Sequence, residues 1–371
     1  MTQSKQLFTH ISKTGQLTFS LNEVAVPTPK SHEVVVRVEA APINPSDMWP
    51  MFGPSDLRSA KLDGQTLSAP LFDGMVSRVS SRLDQTLPVG NEGAGTVVEA
   101  GDSEAAQAML GKTVAVLCGA AYAQTVCVPV QACLVHNDGT TAKQAASSFV
   151  NPLTALGMVD TMRLEGHKAL VHTAAASNLG QMLNKICIDE DVPLINVVRK
   201  ESQVELLKSI GAKHIVNSSD DSFKADLLAQ LESTGATLAF DAIGGGELVS
   251  TILSSMERVG SQGVTGFNTY GSPTNKQVYI YGSLDFSPTI LKRAYGMTWS
   301  IGGWLLMQFL GRISAERVAQ LHKKVADEID GTFASGFTAE LSLEEAMQPA
   351  MIAAYTATKT GQKYFINPSK G

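Results

Sequence analysis

Cysteine is scarce. The 371 residues contain four, at positions 118, 127, 133 and 187, and none forms a CxxC pair. That pattern excludes a disulfide-built scaffold and predicts reduced, mostly buried thiols. Positive charge has no surplus: 29 Lys and Arg stand against 35 Asp and Glu, a formal charge of −6. The balance removes the general electrostatic case for nucleic acid or an anionic membrane, leaving a small-molecule substrate as the expectation. Long apolar runs are missing too. The longest window, Ile301 to Met307, falls far short of a bilayer span. Residues 1–17 carry Lys5 and Lys13 without the uninterrupted apolar core of a signal peptide, so a soluble, cytoplasmic protein is expected. Neither an internal repeat nor a low-complexity segment is found.

What the chain does have is a strand, tight turn, helix and strand between Lys168 and Lys200. Lys168 to Thr173 has the aliphatic and β-branched bias of a buried parallel strand. From Ala174 to Gly180 the side chains shrink, and Gln181 to Ile188 then puts Met182, Leu183, Ile186 and Cys187 on one helical face. Leu194 to Val198 is a second strand. This is the anatomy of a dinucleotide-binding βαβ unit, in which small residues let a pyrophosphate approach backbone N–H groups at a helix N-terminus. Against the GxGxxG template the residues are Ala175, Ser177 and Gly180. Nineteen positions after Gly180 stands Arg199, followed by Lys200, where an NADH site would place an acidic residue. A guanidinium there pairs with a 2′-phosphate through charge-assisted bonds, so NADPH is the expected cofactor.

The rest of the chain divides around this unit. From Leu7 to Phe149 short strands are broken by Pro and Gly, among them Glu33 to Ala40, Gly90 to Val98 and Thr113 to Leu117. Ala41 to Asp47 holds two prolines and stays extended until Ser46 or Asp47 caps a helix. After the βαβ unit, helices at 201–210, 222–231 and 247–256 alternate with strands at 214–217, 238–243 and 277–282. A helix at 316–329 and a strand at 363–366 close the chain. The expected fold class is therefore α/β: a β-rich lobe over 1–150, completed by 315–371, and a doubly wound parallel-sheet lobe over 151–314.

Several stretches, in this order, resemble the medium-chain dehydrogenase/reductase superfamily: Ala41 to Asp47, Gly90 to Gly95, Tyr122 to Gln124, Asn151 to Gly157, Asn178 to Gln181 and Phe240 to Gly245. The nearest likeness is to its NADPH:quinone oxidoreductase and 2-enoyl thioester reductase branch. The resemblance implies a GroES-like catalytic lobe, a Rossmann lobe, and a homodimer joined through sheet edges, with Val278 to Tyr281 as the exposed strand. Carried over by position, Asn44 and Thr154 would lie near the nicotinamide, and Ala175, Ser177, Asn178, Leu179 and Gly180 at the pyrophosphate. Arg199 and Lys200 would lie at the adenosine phosphate, Ala242, Ile243 and Tyr281 along the cofactor, and Asn217 is a further cofactor-binding candidate. The candidate catalytic positions are Asn44, Asp47, Trp49 and Thr154.

Zinc alcohol dehydrogenases of the superfamily build their open metal site from thiolate and imidazole. Here the corresponding stretches read Asn44-Pro45-Ser46-Asp47 and Gly90-Asn91-Glu92-Gly93, with neither Cys nor His, and the four-cysteine lobe is missing. No metal is expected. Without a Lewis acid, an electron-poor acceptor such as a quinone or an activated C=C bond suits the site better than an alcohol. The tyrosine common in this branch after the Asn-Pro segment is absent; Met48-Trp49-Pro50-Met51-Phe52 stands there, leaving the Trp49 N–H as a candidate donor. Pro54 to Leu87 exceeds the usual spacing and reads as an ordered loop shaping the substrate pocket. Gly302-Gly303-Trp304 resembles a segment lining the acyl pocket of enoyl reductases. Two other readings stay open: a 2-enoyl thioester reductase, and a nucleotide-binding protein with little turnover.

Overall fold

A computed structural model describes residues 3–262, 266 and 268–370. The chain forms two compact units, Met1–Val150 with His322–Gly371, and Asn151–Leu321. The helix Ala315–Asp327 spans the second crossing point, which the sequence expectation put at 314.

The first unit is built on β3 and its neighbours. In chain order its early strands are β1 (Gln3–Ile11), β2 (Gln16–Ala25), β3 (Glu33–Ile43), β4 (Lys61–Asp63), β5 (Thr66–Pro70), β6 (Thr86–Pro88), β7 (Glu92–Ala100), β8 (Thr113–Leu117), β9 (Thr125–Pro129) and β10 (Cys133–Val135). Val34, Val35, Val36, Val38, Ala40 and Ala41 are all buried, as a strand covered on both faces requires. β7 crosses β3 so closely that a Cβ on Gly95 would lie 1.8 Å from the Arg37 carbonyl oxygen, which restricts that position to glycine. Two late strands, β17 (Ala339–Leu341) and β18 (Tyr364–Ile366), complete the sheet in the order β10-β8-β7-β3-β18-β17, with β9 also pairing β3. β18 runs antiparallel to the end of β3, Tyr364 facing Ile43 and Ile366 facing Ala41.

Residues 54–87 depart from the expectation of a loop. β4, β5 and β6 join the β1–β2 hairpin in a second sheet of order β4-β5-β2-β1-β6. Leu67, Leu71 and Val79 enter the same core as Leu7, Ile11 and Phe19. Of the apolar residues interleaved among the polar ones in this stretch, Leu67 and Leu71 are core positions, whereas Phe72 is exposed.

The second unit holds a six-stranded parallel sheet. Its strands are β11 (Leu170–Thr173), β12 (Leu194–Val198), β13 (His214–Asn217), β14 (Leu238–Asp241), β15 (Lys276–Ile280) and β16 (Trp299–Gly303). The spatial order β13-β12-β11-β14-β15-β16 is that of a doubly wound dinucleotide-binding fold, with strand order reversing between β11 and β14. The outer edge is β16. Val278 to Tyr281 is therefore not the exposed strand: β15 lies between β14 and β16. The reading failed because Ile301-Gly302-Gly303 has no polar alternation to mark a strand. Trp304, just beyond β16, is a core residue. Its indole packs edge-on against Phe240 and stacks on Phe309, and its Nε1–H donates to Thr161 Oγ1 at 3.1 Å. Among the described residues no helix is long and apolar enough to cross a membrane.

One buried ion pair anchors the start of β15. Lys276 Nζ, with no exposed side-chain surface, lies 2.6 Å from Glu257 Oε2, and Ser272 and Ser261 also donate to that carboxylate. Removing one partner strands the other charge in a low dielectric. Lys276→Met is expected to destabilise the protein by about 3–5 kcal/mol, measured as a lowered urea midpoint; an unchanged midpoint would show that the pair is not needed.

Candidate active site and nucleotide-binding turn

In the first unit, the Asn-Pro segment becomes a helix start. The helix Pro45–Phe52 has Asn44 at its N-cap and Pro45 at its first position, where the fixed φ of proline suits the first turn. Neither Ser46 nor Asp47 is the cap. Asp47 instead sits at the third helical position, and its Oδ2 accepts the Asn44 backbone N–H at 2.8 Å. Its Oδ1 accepts the Asn91 N–H at 2.9 Å. Glu92, the first residue of β7, is fully buried: Oε1 accepts from Asn44 Nδ2 at 2.8 Å, and Oε2 accepts the N–H groups of Val150 at 2.8 Å and Phe149 at 3.2 Å. Asn44, Asp47 and Glu92 thus form one hydrogen-bonded cluster. Trp49 stands apart on the exposed side of the same helix, 38% exposed, while its carbonyl accepts from Arg82.

Burial dominates the electrostatics of this cluster. It pushes the Asp47 carboxyl up to about 7, against the pull of the Asn91 and Asn44 N–H donors, with Glu92 adding repulsion. Burial likewise raises Glu92, opposed by the Lys363 ammonium and by its own N–H donors. Tyr122, whose Oη donates to the Pro42 carbonyl, is held well above its usual value by burial and by Asp47. Glu92 was singled out in the sequence only as an insufficient metal ligand. Its two-oxygen engagement by Asn44 and the 149–150 backbone comes from tertiary contacts that no local pattern records.

In the second unit, the turn after β11 is tight. Ala174 adopts φ +51°, a left-handed conformation that a small side chain tolerates best. The helix that follows, Asn178–Asp189, starts three residues earlier than the pattern suggested, because Ser177 caps it by accepting the Gly180 N–H at 3.1 Å. A Cβ on Gly180 would lie 2.2 Å from the Ala175 carbonyl oxygen. The surviving glycine of the template is therefore the one that lets helix and strand approach. Ala175, Ala176 and Leu179 are buried beside it.

The neighbouring strand ends add charge and hydroxyls. Arg199 and Lys200 are exposed at the end of β12. Ser218 and Ser219 follow β13, with hydroxyls donating to the Val198 and Arg199 carbonyls at 2.9 Å each. Both serines escaped the sequence reading; their only signal was position beyond a strand. Asn217 is engaged locally, donating to Asp220 Oδ1 and accepting the Ser219 N–H. Across the switch point, buried Asp241 accepts from Thr173 Oγ1 at 2.6 Å and from the N–H groups of Ile243 and Gly244, fixing the backbone around Ala242 and Ile243. Tyr281 Oη lies 2.7 Å from His172 Nε2 with the rings stacked, and burial pushes His172 down to about 3, so its imidazole is neutral. Thr154 is buried on the helix Val150–Leu164. A turn too close for a Cβ, a helix N-terminus at the switch point and an Arg-Lys-Ser-Ser cluster together fit a phosphorylated dinucleotide.

Fold and site thus define a two-unit protein of the pyridine-nucleotide-binding class. Two family models match it: "Alcohol dehydrogenase GroES-like domain" over residues 30–147 and "Zinc-binding dehydrogenase" over residues 179–302. The chain belongs to the medium-chain dehydrogenase/reductase superfamily. Mouse prostaglandin reductase-3 is 25% identical over 345 residues, covering 90% of this chain and 86% of the relative. The mitochondrial enoyl-[acyl-carrier-protein] reductase of Xenopus tropicalis is 29% identical over 203 residues, covering 53% of this chain and 51% of the relative. A Mesorhizobium loti protein assigned as an NADPH:quinone reductase shares 28% identity and superposes with a TM-score of 0.75 over 99% of this chain and all of its own.

The zinc in one family description finds no donor set here. Among the described residues there is no group of three or more His, Cys, Asp or Glu side chains that could hold a metal ion. Asp47 and Glu92 already accept five N–H donors between them.

Asp47 also makes stability depend on pH in a definite direction. Its folded value near 7 lies above the ordinary 3.8, so the folded state keeps a proton that the unfolded chain releases. Stability should fall as pH rises through the window from about 4 to 7. Asp47→Asn is expected to flatten that part of the profile in urea titrations; a parallel wild-type and variant dependence would show that Asp47 does not titrate there.

Proposed function

We propose that this NADPH-dependent oxidoreductase reduces a quinone or an α,β-unsaturated carbonyl without zinc. The observation that carries the cofactor choice is the Arg199-Lys200 pair at the end of β12, flanked by Ser218 and Ser219, where a ribose-binding carboxylate would stand in an NADH site. NADPH, when bound, supplies a hydride from its nicotinamide. The chain's own residues then have distinct tasks. Arg199 and Lys200 hold the 2′-phosphate, and the 174–180 turn admits the pyrophosphate to the first turn of the helix Asn178–Asp189. The Ala242-Ile243 backbone, held by Asp241, lines the dinucleotide, and Asn44 and Thr154 are the side chains assigned to the nicotinamide.

The acceptor class follows from the first unit's chemistry. The carboxylates of Asp47 and Glu92 are already engaged by N–H donors, which favours an acceptor whose oxygen can gain charge without a Lewis acid. An electron-poor acceptor needs none. The likeness to the M. loti protein favours a quinone, and the alignment with the Xenopus protein favours the second reading, a 2-enoyl thioester. In the cytoplasm, a homodimer would form through the open edge of β16. Light scattering is expected to give about twice the chain mass of 39.3 kDa; a monomeric mass would remove the dimer.

NADPH oxidation with 9,10-phenanthrenequinone, with crotonyl-CoA and without acceptor distinguishes the acceptors, and the quinone is expected to give the fastest turnover. Turnover with neither acceptor, despite NADPH binding, would leave a nucleotide-binding protein. Arg199→Asp should raise the KM for NADPH about ten- to a hundred-fold and leave that for NADH nearly unchanged. Equal changes would show that Arg199 does not read the phosphate.

A further inference from the structure

Shortly before the last strand stands a lysine, Lys363, whose ammonium has no hydrogen-bonded partner among the described residues. Lys363 directly precedes β18, and continuing the antiparallel register past Tyr364 and Ile43 sets it opposite Asn44. Its backbone is fixed, N–H to Thr338 Oγ1 at 3.1 Å and carbonyl to the Thr338 N–H at 2.6 Å. The side chain lies over Phe337, with Nζ 5.7 Å from the ring centroid, and the Phe337 and Phe365 rings are 4.9 Å apart. Nζ itself is sealed from solvent and, among the described residues, meets no hydrogen-bond acceptor.

The groups around it explain why the ammonium is there and why it is unspent. Glu92 on β7 and Asp47 on the helix Pro45–Phe52 both attract it, but their oxygens accept N–H donors elsewhere. Tyr122 faces Asp47, and Lys143 lies on Phe365 at 5.7 Å from the centroid. Burial pulls Lys363 down to about 8 against the two carboxylates, so it is mostly charged at neutral pH and able to give up a proton. A buried ammonium lacking an acceptor is costly unless a ligand supplies one. The acceptor it suits is an anionic oxygen.

We propose that Lys363 meets the acceptor oxygen on which negative charge develops and donates the proton that completes the reduction. The proposal deepens the functional reading above and rests on it. In an enone, hydride forms the new bond at the β-carbon, and the C=C π pair shifts through the conjugated system to the carbonyl oxygen. A proton passes from Nζ to that oxygen, giving an enol that ketonises in solution. In a quinone, hydride addition gives the hydroquinone monoanion and the same proton yields the hydroquinone. The nicotinamide is oxidised by two electrons, the acceptor is reduced by two, and the neutral amine regains a proton when product departs and water takes its place beside Nζ. The sequence reading passed over Lys363, seeing only a strand at 363–366.

An anionic oxygen could also come from a phosphate of the cofactor, and the test separates the two sources. Lys363→Met and Lys363→Arg are compared with the wild type by NADPH fluorescence titration, by difference absorbance with 4-nitrophenolate as an oxyanion probe in the absence of cofactor, and by the pH profile of kcat with 9,10-phenanthrenequinone. The Met variant is expected to bind 4-nitrophenolate at least ten-fold more weakly, to lose about 10²–10⁴ in kcat, and to keep its NADPH affinity. Wild-type affinity for the probe should fall as pH rises through about 8, and that fall should move to higher pH in the Arg variant, which also serves if the Met variant does not fold. Unchanged probe binding in the Met variant, or an unshifted pH dependence of probe binding in the Arg variant, overturns the proposal. So does loss of NADPH affinity in step with kcat, which would assign Lys363 to the cofactor phosphate. Failure of the wild type to bind NADPH would sink the functional reading instead, while the probe titration still reads the Lys363 site.

Discussion

The carboxylate of Glu92 is the constraint on which the first unit's chemistry depends. A fully buried acid is tolerated only when its lone pairs are filled, and here the Asn44 amide and two backbone N–H groups fill them. That single requirement orients Asn44, ties the 149–150 backbone to β7 and commits both carboxylate oxygens. It also places a negative field beside Lys363 without giving it a hydrogen-bond partner. Glu92 is thereby the common acceptor of three N–H donors.

The second unit obeys a different constraint, close approach of backbone to backbone. Ala174 in a left-handed conformation, Gly180 with no room for a Cβ and Ser177 as cap bring the start of a helix to the ends of β11 and β12. The parallel sheet then sets Arg199 and Lys200 beside Ser218 and Ser219, because β12 and β13 are neighbours in register. On the other side of the switch point Asp241 holds the 242–244 backbone by local hydrogen bonds. The basic pair at 199–200 and the small-residue turn at 174–180 thus lie on separate strand ends, β12 and β11.

Legibility differed between the two. β11, β12, β13 and β14 were readable because each is a short aliphatic run bounded by helix periodicity, and the basic pair after β12 stood at a telling distance from Gly180. β16 was not readable, since Ile301-Gly302-Gly303 carries no strand pattern and gains its place only by pairing with β15. The strands of 54–87 were missed for the same reason: β4, β5 and β6 are short and acquire meaning beside β1 and β2. Trp49 looked chemically attractive from its neighbours in sequence, yet helical geometry turns it outward while Asp47, two residues before it, turns in.

The sequence by itself determined what local chemistry can dictate: the alternation of strand and helix, the small-residue turn at 174–180, the basic pair at 199–200 and the absence of thiolate and imidazole from the Asn44 and Glu92 stretches. These depend on residue type and short-range spacing. Only the tertiary structure decided which groups become partners: Glu92 with Asn44, Tyr281 with His172, Asp241 with Thr173, and Lys363, opposite Asn44, with no acceptor among the described residues. Those pairings join residues dozens to hundreds of positions apart. The energy that selects them, desolvation offset by hydrogen bonds, exists only once the chain is packed.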